Sequence, residues 1–205
     1  MCISATDGSA GDEVGRLVAG GLGFRLVDEE LISRAANHAG VAPHEVADVE
    51  RRRSFVRRML EELAPGTVMA GMAFGAVVPQ TADMGPRSDE MRAFIRRAIE
   101  DVAAEGETVI VSHAASFALA DRHGVLRVLV TAAPETRNRR LAEERGVDDE
   151  EAARLIKSGD ANRRDYLKRF YDVPAELPTQ YDVVVNTDRL TPQQAADLIV
   201  RIAQP

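Results

Sequence analysis

The chain has 205 residues, of which 45% are hydrophobic and 29% charged, with a net charge of −7. That length suits one α/β domain, the apolar share excludes a disordered chain, and the acidic balance excludes a broad nucleic-acid surface. Cys2 is the only cysteine, no apolar run approaches the ~20 residues of a bilayer span, and no basic-then-apolar leader is present, so a cytoplasmic protein without disulfide, cysteine zinc site or membrane partner is expected.

Cys2–Ser4 reads as a short strand. The small-residue loop Asp7-Gly8-Ser9-Ala10-Gly11 follows, then a helix start at Asp12 and Glu13. A chain turning around a phosphate brings successive N–H groups close to its oxygens. Small residues permit that approach, and a helix N-terminus adds a favourable field. In the full phosphate-binding motif a lysine neutralises the β/γ-phosphates and Ser/Thr holds Mg²⁺. Here Gly11 stands at the lysine position, Asp12 at the Ser/Thr position and Glu13 next to it. The two carboxylates suit the helix dipole but would repel a phosphate directly above them.

Phe24–Val27 is the second strand, closed by Asp28. Asp28 either contacts substrate or a metal-bound water, or caps the next helix; the two roles can coexist. Residues 40–87 carry no strand pattern. They hold an arginine-rich helical segment (Arg51, Arg52, Arg53, Arg57 and Arg58) and a Gly/Met/Pro-rich stretch from Pro65 to Pro86. The segment reads either as a helical, substrate-side insertion or as a solvated basic helix with an irregular loop. Ser88 is placed as the cap of a helix whose inner face is Met91, Phe94, Ile95, Ala98, Ile99 and Val102.

Thr108–Ser112 is the third strand and ends at His113, which either donates to a phosphate or satisfies backbone groups. Val125–Thr131 is the fourth. Pro134 opens a helix to about Arg145, and Asp148 with Glu151 forms a capping box for the helix carrying Leu155 and Ile156. Residues 134–175 are thus a helical region. Tyr166, Phe170 and Tyr171 read as packing residues. Tyr181–Asn186 is the last strand. Thr191-Pro192-Gln193-Gln194 starts a final helix with Ala195, Leu198, Ile199 and Ile202 facing inward. The apolar runs at 109–111, 128–130 and 183–185 are those of strands buried on both faces. Strand–helix alternation predicts a three-layer α/β fold, with a five-stranded, mostly parallel sheet and helices on both faces.

These blocks, taken in order, resemble the cytidylate kinase-like family of P-loop nucleoside monophosphate kinases. The family opens with a pattern like I-S-R-x-Y-G-S-G-G-x-E-I-G, against Ile3-Ser4-Ala5-Thr6-Asp7-Gly8-Ser9-Ala10-Gly11-Asp12-Glu13-Val14-Gly15 here. Phe24 to Ile32 resembles F-Y-D-x-E-L-I. Ala133-Pro134-x-x-x-Arg137-x-x-Arg140 resembles A-P-x-x-x-R-x-x-R. Asp160-x-x-Arg163-x-x-Tyr166 resembles D-x-x-R-x-x-Y, and Tyr181 to Thr187 resembles Y-D-L-V-I-N-T. The match runs along nearly the whole chain apart from residues 40–87.

The resemblance implies a single P-loop kinase-like domain over residues 1–205, in which the helical region 134–175 is lid-like. It implies ATP and Mg²⁺ over the loop Gly8, Ser9, Ala10, Gly11, Asp12 and Glu13, with Asp28 and His113 toward an acceptor. Arg137, Arg140 and Arg163 would face the transferring phosphates, since phosphoryl transfer is carried by positioning and charge neutralisation. As local alternatives, Arg137 and Arg140 have Glu143 and Glu144 nearby. Arg163 and Arg164 have Asp160 and Asp165.

The implied function is ATP-dependent phosphoryl transfer to a nucleoside monophosphate or related small acceptor; a homodimer is compatible with it. Three departures open a second reading, a weak or inactive nucleotide-binding regulatory relative. The family's loop also has glycine for lysine. This chain further replaces the Arg after I-S by Ala5, the Y-G-S-G-G by Asp7-Gly8-Ser9-Ala10-Gly11, and the Arg ending the third strand by His113. A dinucleotide-dependent oxidoreductase lacks support, because G-x-G-x-x-G spacing is absent.

Overall fold

The described residues of the computed structural model are 1–28 and 86–204, with the backbone alone over 86–92. Of the expected insertion at 40–87, all but Pro86 and Arg87 lies outside the described residues, as do the arginines at 51–58, His38 and His44. Pro86 and Arg87 themselves open a helix.

The strands are β1 (Cys2–Ala5), β2 (Arg25–Asp28), β3 (Thr108–Val111), β4 (Arg127–Thr131) and β5 (Val183–Asn186). They form one sheet in the order β2-β3-β1-β4-β5, and every pairing is parallel. All five expected strands are present, within two residues of their expected bounds. The helices are α1 (Gly11–Leu22), α2 (Pro86–Glu105), the single turn α3 (Ala115–Ala118), α4 (Pro134–Arg145), α5 (Asp149–Tyr171) and α6 (Pro192–Ala203).

The strand pleat divides the core. Ile3, Val109, Val111, Val128, Val130 and Val185 face one side, where they meet Val14 and Val18 of α1 and Ala195, Ala196 and Ile199 of α6. Cys2, Val27 and Ile110 face the other, against Phe94, Ala98, Ile99 and Val102 of α2 and Leu119 after α3. Cys2 is fully buried and free, and its thiol lies 3.5 Å from the Ser116 hydroxyl. Leu141, Ala152 and Ile156 form a separate small cluster that joins α4 to α5.

Three helix details correct the sequence expectation. Ser88 is not a cap: α2 starts at Pro86, so Ser88 lies inside its first turn. Asp148 does cap α5 by accepting from the Glu151 amide, but Glu151 does not close a box; its carboxylate pairs with Arg154 instead. In α6 the expected capping box of Thr191 and Gln194 is complete. Its inner face, however, is Ala195, Ala196 and Ile199, while Leu198 and Ile202 are 47% and 54% exposed. The helix lies close against α1, where a Cβ at Gly21 would meet Val200 at 3.0 Å, and Ala196 is buried in the cluster the two helices share.

This assignment of the α6 face predicts unequal truncation costs. Ile199→Ala should lower stability by about 2–5 kcal/mol in urea denaturation, and Leu198→Ala by no more than about 0.5 kcal/mol. Equal costs would contradict it.

Candidate functional site

The loop between β1 and α1 leaves the carboxyl edge of the sheet at its central strand, with β3 on one side and β4 on the other. Ligands of open parallel sheets bind there, where connections diverge to opposite faces. The loop is anchored downward by Ser9, which is fully buried and donates its hydroxyl to the Val130 carbonyl at 3.2 Å. The Ser9 amide closes a turn on the Thr6 carbonyl at 3.0 Å, and the Thr6 amide bonds Val130 O at 3.2 Å.

Gly8 has φ +75°, and a Cβ there would lie 2.5 Å from the Arg137 carbonyl oxygen, so both backbone conformation and space demand glycine. A Cβ at Gly11 would overlap the Cβ of Ala5. The lysine position therefore cannot carry a side chain while Ala5 is present. Ala10, the residue before α1, is also left-handed at φ 63° and ψ 27°. No side chain caps this helix end, and the first bond across it runs from the Val14 amide to the Ala10 carbonyl. The amides of Gly11, Asp12 and Glu13 thus precede the helical ladder. Asp12 and Glu13 are exposed in that first turn, as is Asp7 in the loop.

All three arginines from the sequence reading converge on this loop, but their partners are not the local ones. Arg137 is buried and uses all three guanidinium nitrogens. Nε donates to the Asp7 carbonyl at 2.6 Å, while Nη1 and Nη2 grip the Asp160 carboxylate at 3.0 and 2.7 Å. Arg140 donates from Nη1 to the Thr187 hydroxyl at 2.9 Å and from Nη2 to the Thr187 carbonyl at 2.6 Å. The fully buried Thr187 in turn donates to the Ser9 carbonyl at 2.9 Å. Arg163 donates from Nη1 to the Ala5 carbonyl at 3.2 Å, and its Nε and Nη2 hold Glu176 at 2.8 and 2.5 Å.

The carbonyls of Ala5, Asp7 and Ser9 are therefore all held, directly or through Thr187, by arginines. A trans peptide points its N–H opposite to the preceding C=O. Holding the Asp7 and Ser9 carbonyls turns the Gly8 and Ala10 amides the other way. Successive loop and helix-start amides are the kind of donors that suit an anion.

Sequence reasoning missed Glu176, which follows α5 on the way to β5 and carries no motif. It accepts from both Arg163 and the Tyr181 hydroxyl. Burial alone would raise the Glu176 carboxyl, but the hydrogen bond and charge of Arg163 outweigh burial and hold it below its ordinary value. Burial, then the Glu176 carboxylate, pushes the Tyr181 phenol up. His113 is exposed at the end of β3, with Nδ1 2.8 Å from Arg163 Nη1. A guanidinium can only donate, so Nδ1 is the acceptor. Asp28 ends β2 two strands from the loop, and the helix it was expected to cap lies outside the described residues. Tyr166 packs on Phe170 and Tyr171 at ring separations of 5.0 and 6.1 Å. Among the described residues, no cluster of three or more His, Cys, Asp or Glu side chains could hold a metal.

A family model described as the cytidylate kinase-like family matches residues 1–189. A curated cytidylate kinase of Ignicoccus hospitalis is 25% identical over 158 residues, 74% of this chain and 91% of that protein. In solved structures, an uncharacterized protein from Eubacterium ventriosum superposes with TM-score 0.68 at 18% identity, covering 98% of this chain and 96% of that one. Shikimate kinase from Bacteroides thetaiotaomicron superposes with TM-score 0.52 at 16% identity, covering 98% and 96%. The two structures show the fold alone.

Two stability measurements check this geometry. Ala10→Gly relieves a left-handed alanine and should stabilise by about 1 kcal/mol in denaturant titration; no gain would contradict the assigned backbone. Glu176→Gln leaves Arg163 without its carboxylate and should cost about 3 kcal/mol near neutrality. Because the folded carboxyl sits below its ordinary value of 4.5, that stabilisation is complete above this pH and is lost as pH falls through the lower folded value. The penalty of Glu176→Gln should therefore shrink on acidification below 4.5; a penalty that grew there would contradict the pairing.

Proposed function

The chain belongs to the cytidylate kinase-like family, and from that premise we propose that it binds ATP over the loop Asp7–Gly11 and transfers the γ-phosphoryl group to a nucleoside monophosphate or a related small acceptor. The products are ADP and the acceptor carrying one more phosphate. The observation that carries this reading is the loop itself: its Asp7 and Ser9 carbonyls are held by Arg137 and, through Thr187, by Arg140, which leaves the Gly8 and Ala10 amides for phosphate oxygens.

Among the described residues no side-chain cluster could hold Mg²⁺ by itself, so the ion would have to enter with the triphosphate. Magnesium is commonly held by one or two carboxylates together with substrate phosphates and water, and Asp12, Glu13 and Asp7 stand exposed around the loop. When bound there, the ion would neutralise phosphate charge next to carboxylates that otherwise repel it. Asp12, at the position where the full motif has Ser or Thr, would be the carboxylate to hold it.

In this chain the loop amides orient the β- and γ-phosphates, and Arg140 and Arg163 supply positive charge on either side of β1. Arg137, with every nitrogen engaged, keeps the loop in shape. Asp28 and His113, on the β2–β3 side of the sheet, face the acceptor. Transfer then depends on alignment and charge neutralisation, with no covalent intermediate on the protein.

A second reading has its own observation. Arg137 and Arg163 are tied to Asp160 and Glu176, and Ala5 and His113 stand where the family has arginines. On that reading the protein binds nucleotide as a regulatory module without turnover.

Calorimetric titration with ATP, with and without Mg²⁺, tests binding. Saturation below millimolar concentration that tightens with Mg²⁺ is expected, and no binding at millimolar concentration would sink the nucleotide reading. A panel of nucleoside monophosphates, scored by ADP release, separates kinase from regulator. Acceptor-dependent ADP release is the expected result, and binding without release from any acceptor favours the regulator.

A further inference from the structure

Building on the nucleotide reading above, we propose that Glu176 and Tyr181 are positioning residues that set Arg163 as a fixed cation replacing the lysine that the loop lacks. Ala5 connects the two positions. Its side chain closes the space above Gly11, so no lysine can start there, and its carbonyl receives Nη1 of Arg163 at 3.2 Å. The guanidinium therefore sits against the residue that excludes the lysine.

Its orientation is also set. Glu176 takes Nε and Nη2, one edge of the planar fork, at 2.8 and 2.5 Å. That leaves the Nη1 corner turned toward the ends of β1 and β3. The Tyr181 hydroxyl donates to the same carboxylate oxygen that receives Nη2, which fixes the carboxylate's rotation. Tyr181 is itself buried, with its ring edge-on to Phe117 at 6.0 Å. The Arg163 side chain is only 8% exposed and its rotamer is already fixed, so little ordering entropy remains to be lost on binding.

One Nη1 hydrogen is offered to an exchangeable partner, the Nδ1 atom of the exposed His113 at 2.8 Å. A phosphate oxygen can take that hydrogen as His113 swings out. A carboxylate-backed guanidinium at a strand end keeps its charge and direction without a mobile side chain. This differs from a lysine, which is a flexible point charge.

The test is calorimetric titration with ATP and Mg²⁺, with thermal unfolding measured on every variant. Removing Arg163 alone would leave the half-buried Glu176 carboxylate without its cation, so the balanced double variant Arg163→Gln with Glu176→Gln is used. It should bind ATP about tenfold to a hundredfold more weakly than the wild type while remaining folded. Tyr181→Phe keeps the ring and loses the hydroxyl, and should weaken binding several-fold with little change in melting temperature. Adding Ala5→Gly and Gly11→Lys to the double variant opens the space at position 11 and restores a loop lysine. Recovery of ATP affinity is expected, and a purely structural role for the ion pair would not produce it. If the wild type binds ATP and the folded double variant binds equally well, or the lysine variant folds without recovery, this inference is overturned while the nucleotide reading stands. If the wild type itself binds no ATP, both fall.

Discussion

The site depends on arginines bonded to backbone carbonyls. In a phosphate-binding loop the peptide units must present N–H groups on one side, which forces the C=O groups to the other. Those carbonyls need donors. Here Arg137 supplies Asp7, Arg163 supplies Ala5, and Arg140 supplies Ser9 through Thr187. Each arginine comes from a helix in the carboxyl-terminal half of the chain, so the amino-terminal loop acquires its shape only when α4, α5 and the end of β5 are in place. Loop shape and overall fold are thereby coupled. The carboxylates of Asp160 and Glu176 hold two of the guanidinium groups in register.

Charge follows from the same arrangement. A loop that begins with Asp7 and ends with Asp12 and Glu13 is a poor receptor for a bare triphosphate. It becomes a reasonable one when a divalent ion arrives with the ligand and when cations stand behind and beside the loop. The bidentate pairs with Asp160 and Glu176 fix the direction in which Arg137 and Arg163 present their charge. Arg140 is bonded to the Thr187 hydroxyl and carbonyl, with the Asp188 carboxylate close enough to feel its charge.

Much of the fold was legible because it is written in short-range pattern. Apolar runs such as Val109–Val111 and Val128–Val130 fixed the buried strands, and Pro134 and the Thr191–Gln194 box fixed helix starts. The family resemblance added order to those pieces, and the match over residues 1–189 bears it out. What pattern did not reveal was partner choice. Nearness in sequence offered Glu143 and Glu144 to Arg137 and Arg140, and Asp160 or Asp165 to Arg163. The tertiary fold gave Asp160 to Arg137, Thr187 to Arg140 and Glu176 to Arg163. Those partners lie one or more turns of chain beyond any helical register, and Glu176 has no neighbours that mark it. The inner face of α6 departs from the hydrophobic pattern too: Ala196 is buried while the more hydrophobic Leu198 is 47% exposed.

The account's central claim is that carbonyls held from behind leave the loop amides to receive phosphate. Backbone amide chemical shifts, followed by ¹⁵N-edited spectra during titration with ATP and Mg²⁺, test this directly. The account predicts that the largest saturable shifts fall on the amides of Gly8, Ala10, Gly11, Asp12 and Glu13. Saturable binding that leaves these amides unmoved, with the shifts gathered elsewhere on the sheet edge, would contradict it.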